Sequence, residues 1–259
     1  FAADKTGFHM LHTLFQTSMK YSNIKRFDEY FVVDLLVDEG EVQGLIAIHM
    51  SEGELVTIKA KSVVLATGGA GRVYHCNTNG GIVTGDGMAM AYRHGVPLRD
   101  MEFVQYHPTG LPGTGILMTE GCRGEGGIIV NKNGYRYLQD YGMGPETPVG
   151  QPKNKYMELG PRDKVSQAFW HEQQKGNTIK HPLGDVVHLD LRHLGEEYLQ
   201  ERLPFICELA KAYVNVDPAK EPIPIRPTVH YTMGGIETNG GCETRIKGPF
   251  AVGECASVG

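Results

Sequence analysis

With 259 residues, 41% of them hydrophobic, and a formal net charge of −5, the chain can form one large domain or two smaller ones. It offers no electrostatic case for a nucleic-acid partner. No apolar run nears the ~20 residues needed to span a bilayer, and no signal peptide is visible, so any membrane association must come through a partner. Five cysteines, odd in number and without C-x-x-C spacing, point to a reducing compartment and away from a metal or iron–sulfur site in this chain. The first residue is Phe1 rather than Met and the last follows a strand-like run, so the sequence reads as an internal fragment.

Glycine is unusually frequent, 34 residues against a common share of ~7%. The glycines cluster in short loops with no collagen-like period, which suits backbone that closes around a ligand. Taken in chain order, Thr6 to Lys20 carries apolar residues at Phe8, Leu11, Phe15 and Met19, a helical period. Three β-rich runs follow, Tyr30–Val37, Val42–Met50 and Leu55–Ala60, joined by the acidic, glycine-bearing connectors 38–41 and 51–54; together they predict an antiparallel meander. Val63–Ala66 reads as a strand buried on both faces that runs into Thr67-Gly68-Gly69-Ala70-Gly71. Ligands of open α/β sheets sit beyond the carboxyl ends of such strands.

Gly85-Asp86-Gly87 opens a predicted helix to about His94, with Gly95 and Pro97 ending it. From about Met101 to Arg226 the texture changes to long loops and scattered helices, the mark of a separate, inserted domain. Residues 218–227 read as an extended return, and Phe250–Glu254 as a second buried strand. No G-x-G-x-x-G occurs, so the main diphosphate loop of any dinucleotide site lies outside these residues.

Three segments carry the chemistry. Gln105–Gly110 and Thr119–Gly127 place His107, Glu120, Arg123 and Glu125 among seven glycines within 23 residues. Ionisable groups in such loops serve chemistry more often than packing, the alternative being a solvated turn. Gly160-Pro161-Arg162-Asp163 starts a helix, with Pro161 suited to the first helical position. Arg162 then lies at the positive end of the helix dipole, where a cation is disfavoured and a carboxylate ligand is welcome; a surface pair with Asp163 or another acid is the simpler alternative. Thr228–Gly235 places His230 before a glycine pair, as a ligand-binding histidine or a structural hydrogen bonder. The remaining histidines show no zinc-binding spacing.

Together these segments resemble the succinate dehydrogenase/fumarate reductase flavoprotein family. The signatures are Ala66–Arg72, Gln105–Gly110, Thr119–Gly127, Gly160–Asp163, His230–Gly235 and Ala251–Glu254, spread over essentially the whole chain. Asn131–Asp140 and Met143–Lys155 look most like the quinol:fumarate reductase branch. The resemblance implies an α/β fold: a Rossmann-like FAD-binding domain, partial and lacking its diphosphate loop, at 1–102 and 228–259. An inserted α+β capping domain would occupy 103–227.

By the same resemblance Tyr30, Phe31, Val32, Asp86, His230, Tyr231 and Glu254 would lie against FAD, its covalent link falling outside this segment. His107, Thr119, Glu120, Arg162 and His230 would surround fumarate or succinate. Residue chemistry alone would choose a histidine as general acid; the resemblance instead assigns the proton to Arg162, replenished through Glu120 and Arg123. It also implies an iron–sulfur subunit, membrane anchors that oxidise menaquinol, and a peripheral position on the cytoplasmic side of the bacterial inner membrane. Succinate dehydrogenase, L-aspartate oxidase and a degenerate, non-catalytic flavoprotein module are the competing expectations.

Overall fold

The computed structural model describes residues 3–144, 149 and 157–258. Most of the stretch 143–155, which weighed in the choice of branch, lies outside the described residues. The described residues fall into two units. The larger draws on Phe1–Lys20, Cys76–Thr78 and Tyr106–Val229; the smaller on Tyr21–His75, Asn79–Gln105 and His230–Gly259.

The first helix, α1 (Thr6–Ser18), belongs to the larger unit and has no buried residue. Its apolar stripe is present, but Phe8, Leu11 and Phe15 are exposed. The preceding turn is what ties it down: the Asp4 carboxylate accepts the Ile206 N–H at 3.0 Å, and the Lys5 ammonium lies 5.5 Å from the Phe205 ring centroid.

The smaller unit begins with the meander: β1 (Tyr30–Asp38), β2 (Glu41–His49) and β3 (Glu54–Lys59), all antiparallel. Local turn chemistry sets its first hairpin. Glu39 (φ 47°) and Gly40 (φ 77°) both adopt the left-handed conformation that a two-residue hairpin turn requires. Next, β4 (Val63–Leu65) runs to the glycine loop, and α2 (Asp86–Arg93) starts from Gly85 at φ 84°. A two-residue strand, β5 (Leu98–Arg99), closes this first pass through the unit.

The larger unit continues with β6 (Val104–Gly110), α3 (Glu120–Gly124), β7 (Ile128–Val130), α4 (Arg162–Gln174), β8 (Val187–Asp190), α5 (Glu196–Arg202), α6 (Pro204–Val214) and β9 (Ile223–Thr232), except that the first two residues of β6 and the last three of β9 belong to the smaller unit. Strand order in its sheet is β6-β9-β8-β7. A core of Leu111, Met118, Ile129, Leu138, Phe169, Leu189 and Ile223 packs the helices on that sheet. Returning to the smaller unit, β10 (Gly235–Glu237) lies between β5 and β12 (Ala256–Ser257), and β11 (Pro249–Ala251) pairs in parallel with β4. Its core gathers Leu35, Val63, Leu65, Met88, Met90, Ile236 and Ala251.

Three expectations need correction. The run Phe250–Glu254 is strand only as far as Ala251; Gly253–Cys255 is a 3-10 turn and Gly253 is exposed. Val64 is 59% exposed, so β4 is buried on one face only; its sheet has two strands, and among the described residues nothing covers the other side. Pro161, at φ −53° and ψ 134°, stands before α4 as its cap rather than as its first residue. Arg162 is therefore the first helical residue.

Candidate active site

His107 sits near the end of β6 and is 1% exposed. Its Nδ1 lies 3.1 Å from the Thr109 hydroxyl, which donates to the Met118 carbonyl at 2.6 Å, while the Met118 N–H returns a bond to the Thr109 carbonyl. The ring is thus anchored to the backbone that leads into Thr119. Thr119 is the cap of α3: its hydroxyl oxygen accepts the Gly121 N–H at 3.3 Å. That bond satisfies one orphan donor of the helix and leaves the hydroxyl proton unspent.

Helical spacing puts Glu120 and Arg123 on one side of α3. Glu120 Oε2 accepts from Arg162 Nε at 3.0 Å and Nη2 at 2.8 Å, and from Arg123 Nη2 at 3.4 Å. One carboxylate thus bridges two guanidinium groups from different helices. One end of the row is buried and the rest is accessible: the side chains are 1% exposed at Arg123, 48% at Glu120 and 32% at Arg162. The negative charge of Glu120 answers the unfavourable dipole at Arg162, and it comes from 42 residues away rather than from Asp163.

Arg123 is the unusual member. Burial lowers its proton affinity first, and the nearby Arg162 cation lowers it further, with Glu120 opposing both. Its Nη1 donates to the Glu158 carbonyl, while its Nε is buried without an acceptor. Ion pairs as accessible as Arg162–Glu120 add about 0–1 kcal/mol to stability. A buried, poorly satisfied cation behind such a pair is a cost to the fold and calls for another explanation.

The loop after α3 is braced from α5. Glu125 accepts from Arg202 Nε (3.2 Å) and Nη2 (2.8 Å) and from the Tyr198 hydroxyl (2.6 Å). His193 adds a bond to the Gly126 carbonyl at 2.8 Å.

In the smaller unit, Glu254 Oε1 accepts the Thr232 N–H at 2.8 Å, beside Tyr231. Burial, and then the Glu254 charge, push the Tyr231 hydroxyl above its ordinary value. The His230 carbonyl accepts from Asn79 Nδ2 at 3.3 Å. Asp86, exposed at the start of α2, accepts from the Thr84 hydroxyl at 2.8 Å. Along β1, Tyr30 stacks on His49 with ring centroids 4.5 Å apart, Phe31 is exposed, and Val32 turns into the core.

These residues suit FAD in part. Backbone with little side-chain bulk at 68–71 and 85–87, unbonded first-turn N–H groups at α2 and exposed aromatic surface at Phe31 offer what a flat, anionic cofactor needs. The diphosphate fingerprint is not among them.

The structure therefore joins Glu120, Arg123 and Arg162 directly, and links His107 to the backbone before Thr119. Tyr231 and Glu254 are neighbours in the other unit. Sequence reasoning missed the Arg136–Glu158 pair and the cluster in which Glu172 accepts from Tyr141 and Asn131 at 2.6 and 2.8 Å. Their members lie 22 to 41 residues apart, beyond any local pattern. The one available signal was the stretch 131–140, which holds Asn131 and Arg136.

A family model described as FAD binding domain matches residues 1–259. The chain is 81% identical, over all its 259 residues, to the fumarate reductase flavoprotein subunit of Serratia sp. (strain ATCC 39006), and spans 43% of that protein's length. It is 46% identical over 268 aligned positions to the succinate dehydrogenase flavoprotein subunit of Rickettsia conorii, covering 99% of this chain and 43% of that one. A solved quinol-fumarate reductase with menaquinol molecules superposes with a TM-score of 0.97 at 81% identity, over 100% of this chain and 45% of that one.

Proposed function

The chain belongs to the FAD binding domain family, and on that premise we propose that it is the substrate-facing part of a quinol:fumarate reductase flavoprotein subunit. The observation that carries this reading is the Arg162–Glu120–Arg123 row, an arrangement built at the expense of stability on a chain 81% identical to fumarate reductase flavoproteins. The reaction assigned to the full-length protein is the reduction of fumarate to succinate. FAD, when bound and reduced, supplies the hydride.

This chain's residues do the rest. Fumarate is a flat dianion, and charge builds toward one carboxylate as the hydride arrives. His107, Thr119 and His230 are assigned to hold that carboxylate with fixed donors, each lowering the barrier by ~3 kcal/mol. Arg162 gives its proton to the second alkene carbon, Glu120 relays a proton from Arg123 to Arg162, and Arg123 regains one from solvent before the next turnover. An arginine is a poor acid in water, with a pKa above ~12. Concerted protonation and immediate refilling through Glu120 make the step feasible, and the lowered proton affinity of buried Arg123 supports this order. Tyr30, Phe31, Val32, Asp86, His230, Tyr231 and Glu254 are assigned to hold FAD. Residues 1–102 and 228–259 would form its domain, and 103–227 the cap over the substrate.

Electrons would arrive through an iron–sulfur subunit from membrane anchors that oxidise menaquinol, with this subunit peripheral on the cytoplasmic face. No helix among the described residues is long and apolar enough to cross a membrane. The same residues could oxidise succinate, but the 46% identity to a succinate dehydrogenase against 81% to a fumarate reductase favours the reductive direction. The experiment is dye-driven fumarate reduction by the full-length FAD-loaded protein, beside aspartate oxidation. Fumarate turnover without aspartate turnover supports the proposal; the reverse assigns an L-aspartate oxidase, and neither assigns a non-catalytic module.

A further inference from the structure

Helix α3 carries two members of the relay, Glu120 and Arg123, yet it is five residues long. A single turn makes too few backbone hydrogen bonds to stay wound unaided, so its shape has to be set from outside. The relay depends on that shape. Arg123 Nη2 stands 3.4 Å from Glu120 Oε2, at the edge of hydrogen-bond range, and the contact exists only while the turn between them is wound.

Thr119 caps the first end of α3; the last end is held from α5. Glu125 closes the helix, its N–H bonding the Gly121 carbonyl at 2.8 Å. Its carboxylate reaches across to α5, where Oε1 accepts from Arg202 Nε and Nη2 at 3.2 and 2.8 Å and Oε2 accepts from the Tyr198 hydroxyl at 2.6 Å. Tyr198 and Arg202 are four residues apart and so share one face of α5, which grips the carboxylate by both oxygens. The chain just beyond is fixed as well. His193 bonds the Gly126 carbonyl at 2.8 Å, and Gly127 passes so near Leu191 that a Cβ there would stand 2.5 Å from Cδ2.

Resting on the fumarate reductase reading above, we propose that Glu125 and Tyr198 are positioning residues for the proton relay: the grip of α5 on the Glu125 carboxylate keeps the last turn of α3 wound, and so keeps Arg123 within reach of Glu120. Glu125 lies two residues past Arg123, so fixing it fixes the backbone from which the arginine must find both Glu120 and the Glu158 carbonyl. A displacement of ~1 Å in such a constellation can cost on the order of 100-fold in rate. The role is one of geometry, because the Glu125 charge is already paired with Arg202.

The test is dye-driven fumarate reduction by the full-length, FAD-loaded flavoprotein, with kcat per bound flavin measured in H2O and in D2O. Glu125→Ala should lower kcat about tenfold with KM for fumarate within about twofold, because delivery of the proton and not binding of the substrate is slowed. Its solvent isotope effect should rise, as proton delivery becomes limiting. Tyr198→Phe should move both readouts the same way and less far. Glu125→Gln, whose amide can still accept from Arg202 and donate to the Tyr198 oxygen, should restore kcat to within about threefold. Asp185→Ala, which removes a comparable set of bonds to Lys180 and Thr178, controls for a loss of stability alone and should leave the isotope effect unchanged. A drop in kcat with an unmoved isotope effect, or an equal loss in Glu125→Ala and Glu125→Gln, would overturn the inference. Should Glu125→Ala fail to fold, a raised isotope effect in Tyr198→Phe supports it and an unmoved one overturns it. Fumarate reduction by the unsubstituted protein with unmoved variants rejects this inference alone; its absence rejects the functional reading as well.

Discussion

A Cβ placed on Gly69 would stand 2.2 Å from Oε1 of Glu254, the oxygen that also accepts the Thr232 N–H. Only glycine lets the loop after β4 pass so close to that carboxylate. Gly69→Ala should therefore push Glu254 off Thr232 and disturb the turn beside Tyr231, at about 1–3 kcal/mol. The expected outcome is a full-length protein that still folds but retains less FAD, read from the flavin-to-protein absorbance ratio after gel filtration. Undiminished flavin content would remove Glu254 from the cofactor site.

Glu120→Gln keeps a hydrogen-bond acceptor between the two arginines and removes the group that can carry a proton. Its half-exposed position means the melting temperature should change little. Turnover of fumarate should fall by about 100-fold or more, with KM changed far less. Steady-state kinetics on the full-length variant, beside a thermal melt, check both halves of the statement.

Much of this architecture is legible in the sequence because it is set locally. The Glu39-Gly40 turn fixes the first hairpin of the meander, and Gly85 and Gly95 punctuate α2 where glycine was expected to. The short helix α3, by contrast, lies where the sequence reads as a glycine-rich loop, and Thr119 caps it. What the sequence hides is decided by tertiary pairing. Arg162 reads as a cation at the wrong end of a helix until Glu120 arrives from another helix. Val64 looks like a core residue because a continuous apolar run does not say how many faces will be covered. Nothing in the spacing of Arg136 and Glu158 announces that they will meet.

Glu125 gives the fold a pH signature. The Arg202 hydrogen bond, followed by that of Tyr198, holds its carboxyl below the ordinary value of 4.5, with burial opposing. A depressed folded-state value means the stabilisation is complete above the unfolded value and is lost as pH falls through the folded one. Glu125→Gln should be about 1 kcal/mol less stable than the unsubstituted protein at pH 7. That difference should shrink toward zero below about pH 4. Urea melts of the two proteins at a series of pH values follow it; a difference constant with pH would contradict the assignment.

The central claim is that Arg162 is the acid that protonates the substrate. It is tested most directly by stopped-flow reoxidation of the reduced flavin by fumarate in full-length Arg162→Gln. The variant's flavin should be bound and reducible, with fumarate-driven reoxidation slowed at least about 100-fold even at saturating fumarate. Reoxidation at a near-normal rate would show that the proton comes from elsewhere.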